Sequence, residues 1–186
     1  MKKPVFALIR HKSQSLVESF RIAYYKMLGI RVDGSIKLGK IRCNWPNNVK
    51  FGNNCDIEDG VLFKITQPFS GENYIQLGNN VFVGADCQFN SSTQIILGND
   101  CLIASNTTFV DTGHENAFGT LIREQPCTFE RIVLGNDVWV GTHCSILKGV
   151  TIGDGSIIGA GSVVNKSIPA NQIWAGVPAK YIRDRT

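Results

Sequence analysis

Residues 134–169 read LGNDVW VGTHCS ILKGVT IGDGSI IGAGSV VNKSIP, a run of six-residue blocks. The first place of each block is aliphatic, and the fifth is small or β-branched. An α-helix repeats every 3.6 residues, so a strict period of six excludes a helix here. A short strand followed by a corner fits this period, and stacked units of that kind form a parallel solenoid with one buried aliphatic column on each side.

The same register occurs earlier in the chain, in coils that begin at Phe51, Leu77 and Leu97. Twelve of the 19 glycines occupy the second or fourth place of a block, where the chain must turn. Four cysteines fall on the fifth place and are predicted to be small buried core residues: Cys55, Cys87, Cys101 and Cys144. The predicted fold class is therefore an all-β solenoid.

The composition limits the remaining classes of protein. The 186 residues, of which 43% are hydrophobic and 18% charged, suit one compact domain and exclude a disordered polyelectrolyte. The longest apolar run, residues 5–9, is too short to cross a bilayer, and no secretion signal follows it. We therefore expect the cytoplasm as the location, with the inner face of the membrane kept open, and six reduced cysteines.

Residues 138–183, VWVGTHCSILKGVTIGDGSIIGAGSVVNKSIPANQIWAGVPAKYIR, resemble the hexapeptide-repeat acyltransferases, and within them the sugar O-acetyltransferases. This resemblance implies a left-handed β-helix, a homotrimer with sites between neighbouring subunits, acetyl-CoA as the acyl donor and no metal. The left hand comes from the resemblance alone, since parallel crossover connections in general are right-handed.

Interruptions of the repeat indicate where the site lies. The coil starts at 51, 77, 97, 134 and 152 are 26, 20, 37 and 18 residues apart, so insertions leave repeatedly from one corner of the solenoid. The largest interruption, the predicted extruded loop 110–132, contains DTGHENAF. Its His114 is suited to accept a proton near neutral pH, and it resembles the histidine base of the family. Asp111, Glu115 or a backbone carbonyl could orient its ring.

The resemblance assigns several of the other site residues, whereas Asp86, Ser91 and Trp139 are added because of their positions near those residues. The Thr142 backbone amide is expected to stabilise the oxyanion, and Asn90 to bind the acceptor, with Asp86 and Ser91 placed at the same cleft. The expected acetyl-CoA contacts are Trp139, Thr142, Ala160, Lys166, Lys180 and Arg183, of which the cations suit phosphates.

Residues 1–45 do not fit the repeat and carry an excess of positive charge. Leu16, Phe20 and Met27 have helical spacing, which predicts an amphipathic helix over about residues 14–28. This helix either caps the open end of the solenoid or contacts an anionic membrane or a lipid-linked glycan through residues 1–31. Nucleic acid is excluded as a partner, because no recognition motif occurs.

We thus expect a basic N-terminal segment (1–45), a β-helix (46–169) and a short C-terminal helical tail (170–186) that contributes to the CoA site. The predicted activity is acetyl transfer from acetyl-CoA to a hydroxyl of a saccharide, namely a cell-surface polysaccharide or its precursor. N-acetylation of an amino sugar, free or nucleotide-linked, on the same scaffold is the alternative.

Overall fold

The computed structural model describes residues 5–186, with side chains from residue 15 onward, so the first residues of the predicted basic segment lie outside it. Helix α1 spans Val5–Met27, and two 3₁₀ turns span Pro46–Asn48 and Ile122–Glu124. The strands are β1 (Arg31–Val32), β2 (Ile36–Leu38), β3 (Arg42–Cys43), β4 (Val49–Phe51), β5 (Cys55–Ile57), β6 (Leu62–Ile65), β7 (Tyr74–Leu77), β8 (Phe82–Val83), β9 (Gln88–Ser91), β10 (Gln94–Leu97), β11 (Leu102–Ile103), β12 (Thr108–Val110), β13 (Thr112–His114), β14 (Cys127–Phe129), β15 (Ile132–Leu134), β16 (Trp139–Val140), β17 (Ser145–Leu147), β18 (Thr151–Ile152), β19 (Ile157–Ile158), β20 (Val163–Val164), β21 (Gln172–Ala175) and β22 (Lys180–Asp184).

Three parallel sheets wrap the chain into a left-handed β-helix, as predicted. The first sheet has the order β1-β4-β7-β10-β15-β18 and the third has the order β20-β17-β12-β9-β6-β3. The second sheet runs β2-β5-β8-β11-β16-β19-β21-β22. Each coil contributes one strand to each sheet, and equivalent block positions pair directly, as Leu97 does with Leu134.

The core is the stack of first-place side chains. On three neighbouring strands of the third sheet these are phenylalanines: the rings of Phe63 and Phe89 stack at 5.2 Å, and those of Phe89 and Phe109 at 4.8 Å. Stacked aromatic rings in a fully buried column contribute favourably to packing. Cys55, Cys87, Cys101 and Cys144 are buried and unpaired, which confirms the prediction made from their fifth place.

Two backbone requirements explain the glycines. A fourth-place residue adopts a positive φ, as at Gly149 (φ 75°), and Asn or Asp replaces glycine at several of these positions. A second-place residue lies against the coil below, so that a Cβ at Gly78 would be only 2.7 Å from the Gly98 carbonyl. The period of six therefore arises from two requirements, the backbone geometry of the corners and the close spacing of successive coils.

An asparagine ladder joins successive coils at the corner between the first and second sheets. The Asn99 side chain accepts a hydrogen bond from the Asn79 backbone N–H at 2.8 Å, and Asn136 accepts one from Asn99 at 2.9 Å. Asp154 continues the series by accepting from Asn136 at 2.7 Å. These bonds pair amides that the strands leave free at the corner.

The β-helix begins earlier than predicted. Strands β1, β2 and β3 pair in parallel with β4, β5 and β6, so the boundary expected at residue 45 falls inside the β-helix. The coil is hard to detect in the sequence because its inward residues are Val32, Leu38 and Cys43, and the last spacing is five instead of six.

The predicted C-terminal helical tail is wrong. Strand β21 extends the second sheet by pairing with β19, and β22 returns antiparallel to it. The Trp174 ring packs against Tyr181 across this hairpin. Pro178 disfavours helical geometry at the residue before it, and pairing with an open sheet edge satisfies the backbone instead.

Helix α1 confirms the predicted helix and is longer than expected at its start. It covers the first coil, where Ile22 and Tyr25 pack against the core. The predicted apolar stripe is on its opposite side, with Phe20 72% and Met27 77% exposed. In the part of the chain that the structure describes, no helix has the length and apolar character that crossing a membrane requires.

Candidate active site

The largest insertion leaves from the corner between the third and first sheets, here called the third–first corner. After β12 the chain forms the antiparallel pair β13–β14, an arm that projects before β15 resumes the first sheet. A Cβ at Gly113 would lie 2.9 Å from the Lys148 side chain, so the base of the arm rests on the coil below. His114, the predicted base, ends β13 and is exposed.

A buried aspartate holds the start of this arm. The Asp111 carboxylate accepts hydrogen bonds from the backbone N–H groups of Ser92, at 2.7 Å, and Thr93, at 2.8 Å. The hydroxyls of Ser91 and Thr112 each donate to it at 3.1 Å. Asp111 is fully buried, and these bonds point its oxygens into the corner. The Asp111 carboxylate therefore holds the start of the arm in place through four hydrogen bonds, which come from Ser91, Ser92, Thr93 and Thr112.

Cys127 lies beside the His114 ring. It is the cross-strand partner of His114 in the β13–β14 pair, and its sulfur is 3.7 Å from Nδ1 and 4.0 Å from Nε2. Both side chains are exposed. The sequence offered no signal for this thiol, because Cys127 lies outside the repeat and hairpin register is set by pairing that the sequence does not display.

A cavity of about 270 Å³ opens beside the arm, on the outer face of the third sheet. It is lined by Lys64, Thr66, Asn90, Ser92, Val110 and Thr112. Asn90 is half-buried there and pairs in register with Lys64 and Val110. Thr112, which lines the cavity, and His114, the predicted base, are two residues apart on β13 and therefore project from the same face of that strand.

Ser91 and Asp86 do not join Asn90. The Ser91 hydroxyl is fully buried and bonded to Asn73 and Asp111, so it faces the interior and not an acceptor, contrary to the expectation. Asp86 is at the corner between the second and third sheets, where it adopts φ 58° and its carboxylate lies against Gly60. Within one chain Asp86 is thus a corner residue away from the Asn90 cavity.

Thr142 occupies that same second–third corner. The Thr142 hydroxyl donates to the Ser105 carbonyl at 2.7 Å. The Gly161 N–H donates to the Thr142 carbonyl at 2.8 Å, so Ala160, the residue before Gly161, lies in the next coil beneath Thr142. Within residues 15–186, no acceptor is paired with the Thr142 backbone N–H. This exposed donor suits an oxyanion. His143, beside it, has φ 58° at an ordinary fourth-place turn.

The predicted acetyl-CoA contacts divide between elements. Lys166 is exposed after β20, at the third–first corner. Lys180 and Arg183 are exposed on β22, beyond the end of the second sheet. Trp139 lies on the outer face of the second sheet and is 50% exposed. The exposed cations can reach phosphate groups, and no acidic side chain forms an ion pair with any of them among the described residues.

Two family models match the chain. The model described as bacterial transferase hexapeptide (six repeats) matches residues 131–166, and that of the hexapeptide repeat of succinyl-transferase matches residues 74–108. Both matches coincide with the coils of the β-helix, on either side of the arm.

Curated relatives include two proteins of Escherichia coli (strain K12). The galactoside O-acetyltransferase is 40% identical over 117 residues, which are 60% of this chain and 57% of the relative. WcaF, provisionally named a colanic acid biosynthesis acetyltransferase, is 35% identical over 137 residues, 73% of this chain and 69% of the relative. Staphylococcus aureus acetyltransferases, also provisionally named, match over 54% of their length, so the chain spans little more than half of several relatives.

Solved structures agree with the fold. A galactoside acetyltransferase in complex with coenzyme A superposes with a TM-score of 0.64 at 27% identity, covering 89% of this chain and 70% of the other. AntD, an N-acyltransferase from Bacillus cereus in complex with dTDP and 3-hydroxybutyryl-CoA, superposes with a TM-score of 0.77 at 22% identity, covering 88% of both chains. From the coils, the matched repeat models and the identity with WcaF, the chain belongs to the hexapeptide-repeat acyltransferase family.

Proposed function

We propose that this protein is an acetyl-CoA-dependent O-acetyltransferase that acetylates a hydroxyl of a saccharide, a cell-surface polysaccharide or its precursor. The observation that carries the proposal is an exposed imidazole on the strand that also contributes a residue to the cavity containing Asn90. His114 ends the strand whose Thr112 lines the cavity containing Asn90. An amide and several hydroxyls are suitable partners for sugar hydroxyls, and the galactoside O-acetyltransferase is 40% identical over the matched region.

The reaction is a direct transfer. A nitrogen of His114 accepts the proton of the acceptor hydroxyl while that oxygen attacks the thioester carbonyl carbon. The C–S bond of the tetrahedral intermediate then breaks, and the departing CoA sulfur takes the proton from the imidazolium. A positioned base of this kind contributes about 10²–10⁴-fold to the rate. The Cys127 sulfur lies beside the ring, at 3.7 Å from Nδ1.

The backbone N–H of Thr142 stabilises the oxyanion in this mechanism. An amide fixed in a rigid corner needs no reorganisation when negative charge develops, and one such donor is worth about 10²–10³-fold. Lys180 and Arg183 bind the phosphates of CoA from β22, and Lys166 does so from the third–first corner. Trp139 and Ala160 border the path of the pantetheine arm.

These groups require two copies of the chain. His114 leaves from the third–first corner and Thr142 from the second–third corner, separated by β17. The six residues from Thr142 to Lys148 span on the order of 20 Å at about 3.3 Å per residue. A homotrimer that places one corner of each subunit against the other corner of its neighbour joins the two halves of the site.

The outer face of the second sheet supports this assembly. Phe82, Leu102, Trp139 and Ile157 are register partners on adjacent strands and form an apolar column outside the core. Leu102 and Trp139 are each 50% exposed in the single chain. A contiguous exposed apolar column is typical of a subunit interface.

N-acetylation of an amino sugar is the second candidate. AntD, which has the same fold, is an N-acyltransferase. The cavity that contains Asn90 holds no group that distinguishes a hydroxyl from an amine. Ester and amide products differ in stability, so mild alkali separates the two outcomes: an O-acetyl group is lost and an N-acetyl group is retained.

The experiment incubates the protein with acetyl-CoA and a panel of sugars, amino sugars and oligosaccharides, and measures free CoA by chromatography. We expect CoA release that depends on a saccharide and yields an alkali-labile acetyl product. His114→Ala is expected to lower kcat by about 10²–10⁴-fold with unchanged thermal unfolding. His143→Asn is the matched control, because it alters an exposed corner histidine whose positive φ asparagine accepts. Near-wild-type turnover by His114→Ala contradicts the proposal.

A further inference from the structure

Helix α1 has one face fixed to the β-helix. The Leu38 backbone N–H donates to the Glu18 carboxylate at 2.9 Å, and the Arg21 guanidinium donates to the Leu38 carbonyl at 2.7 Å. The Tyr25 hydroxyl donates to the Ile41 carbonyl at 3.0 Å. Burial is the main reason that the pKa of Tyr25 is raised, so its hydroxyl remains a donor at neutral pH. Polar contacts thus set the rotation of the helix about its axis.

The opposite face is apolar and exposed. Leu16, Phe20, Tyr24 and Met27 recur at intervals of four, four and three residues and are 60%, 72%, 53% and 77% exposed. We call these four residues the α1 stripe. A surface helix normally turns such a stripe toward the core. Here the fixed contacts direct it outward, and a contiguous exposed apolar strip of this kind marks a binding surface.

The net charge of the N-terminal segment in the sequence indicates the partner of the α1 stripe. Residues 1–31 contain seven Lys and Arg and one acidic residue, Glu18, a net charge of +6, while residues 32–186 contain 12 Lys and Arg and 14 Asp and Glu, a net charge of −2. On the fixed face the Glu18 carboxylate accepts a bond from the β-helix and the Arg21 guanidinium donates one to it, so these two opposite charges offset each other there and the excess of positive charge comes from the other Lys and Arg. Two copies of this segment repel each other, whereas an anionic surface attracts it.

We propose that α1 binds the surface of an anionic lipid bilayer, with the α1 stripe in the boundary between headgroups and acyl chains. Apolar burial and attraction to anionic headgroups act together in such interfacial helices, and each Lys or Arg near the surface adds to the attraction. The rigid attachment of α1 to the first coil orients the whole β-helix on the membrane. This role is independent of the acetyl transfer proposed above.

Vesicle cosedimentation tests the proposal. The full chain is mixed with vesicles of phosphatidylcholine alone, or of phosphatidylcholine and phosphatidylserine, at low and high salt. We expect binding to the anionic vesicles, weakened by salt, and little binding to the neutral ones. The double variant Phe20→Ser, Met27→Ser is expected to bind at least about tenfold more weakly, since it removes two of the large apolar side chains that the proposal buries in the lipid boundary.

The matched control is Phe69→Ser, which removes another exposed phenylalanine (88%) far along the chain. It is expected to bind as the wild type does, and unchanged thermal unfolding of all variants shows that they are folded. Two results overturn the proposal: the double variant binds as tightly as the wild type, or the binding of the wild type does not depend on lipid charge and salt. Self-association of the wild type in light scattering that the double variant loses overturns it too, because a second copy then covers the α1 stripe.

Discussion

Cys127 differs from the other five cysteines in its access to solvent. Burial raises the pKa of the Cys43, Cys87 and Cys101 thiols to about 11, and it also raises the pKa of Cys55 and Cys144. Those thiols are therefore almost entirely protonated at pH 8, and the thiolate is the reactive form. Cys127 is exposed beside His114.

We predict that N-ethylmaleimide at pH 8 labels Cys127 alone in the folded protein and that acetyl transfer falls in step with labelling. The reason is steric, since the added ring occupies space beside the imidazole. Intact-mass measurement and residual turnover check this. Cys127→Ser is expected to stay active and to resist the reagent, and full activity of the labelled wild type contradicts the placement of the site.

Asp111 is the other residue that the arm depends on. Asp111→Ala leaves one buried and one part-buried backbone N–H group without an acceptor, each costing about 1–3 kcal/mol, so the free energy of unfolding is expected to fall by about 2–6 kcal/mol. Urea denaturation measures the loss. Glu115→Ala, an exposed change on the same arm, is the control and is expected to have little effect. A stable Asp111→Ala variant contradicts the role assigned to the buried carboxylate.

At the scale of elements, the asparagine ladder links each coil to the next by a hydrogen bond. Asn99→Ala removes the acceptor for the Asn79 N–H and is expected to lower the free energy of unfolding by about 0.5–1.5 kcal/mol. Asn99→Asp keeps that acceptor, as Asp154 does at the end of the ladder, and is expected to unfold near the wild-type temperature. Thermal unfolding of the pair measures the difference, and equal losses in both variants contradict a hydrogen-bonding role.

The sequence predicted the elements that repeat and missed those that do not. The buried columns, the four core cysteines and the corner that carries His114 follow from a period of six, because every coil obeys the same stacking geometry. The first coil was missed since its final spacing is five, and the tail since strand pairing overrode local propensity. The apolar stripe of α1 faces outward because polar contacts with Leu38 and Ile41 fix the rotation of the helix, and the periodicity of the sequence does not reveal those contacts.

The candidate site was predictable to a similar extent. His114 and Asn90 were located by the insertions, whereas the roles of Asp111 and Cys127 depend on which backbone amides and cross-strand neighbours they meet. Ser91 shows why a neighbour in sequence is a poor guide to the site. Ser91 follows Asn90 directly on β9, so the two side chains lie on opposite faces of that strand.

At the scale of the whole molecule, the proposed site is shared between copies of the chain. His114 and the Thr142 corner lie on different corners of one chain, so each subunit alone holds two incomplete halves. Two inactivating changes on opposite halves can therefore complement each other. His114→Ala removes the proposed base, and Ala160→Phe adds bulk at the exposed position beneath Thr142, where we propose that the pantetheine arm lies.

The most direct measurement co-expresses these two variants with different affinity tags, purifies the assemblies that contain both, and determines saccharide-dependent CoA release per assembly. Each variant alone is expected to be inactive. A ring of three that contains both has one intact site, so turnover is expected to recover to about a third of the wild-type value. No recovery in the mixed assemblies, or activity of either variant alone, contradicts a transfer site built from His114 of one copy and the Thr142 corner of the next.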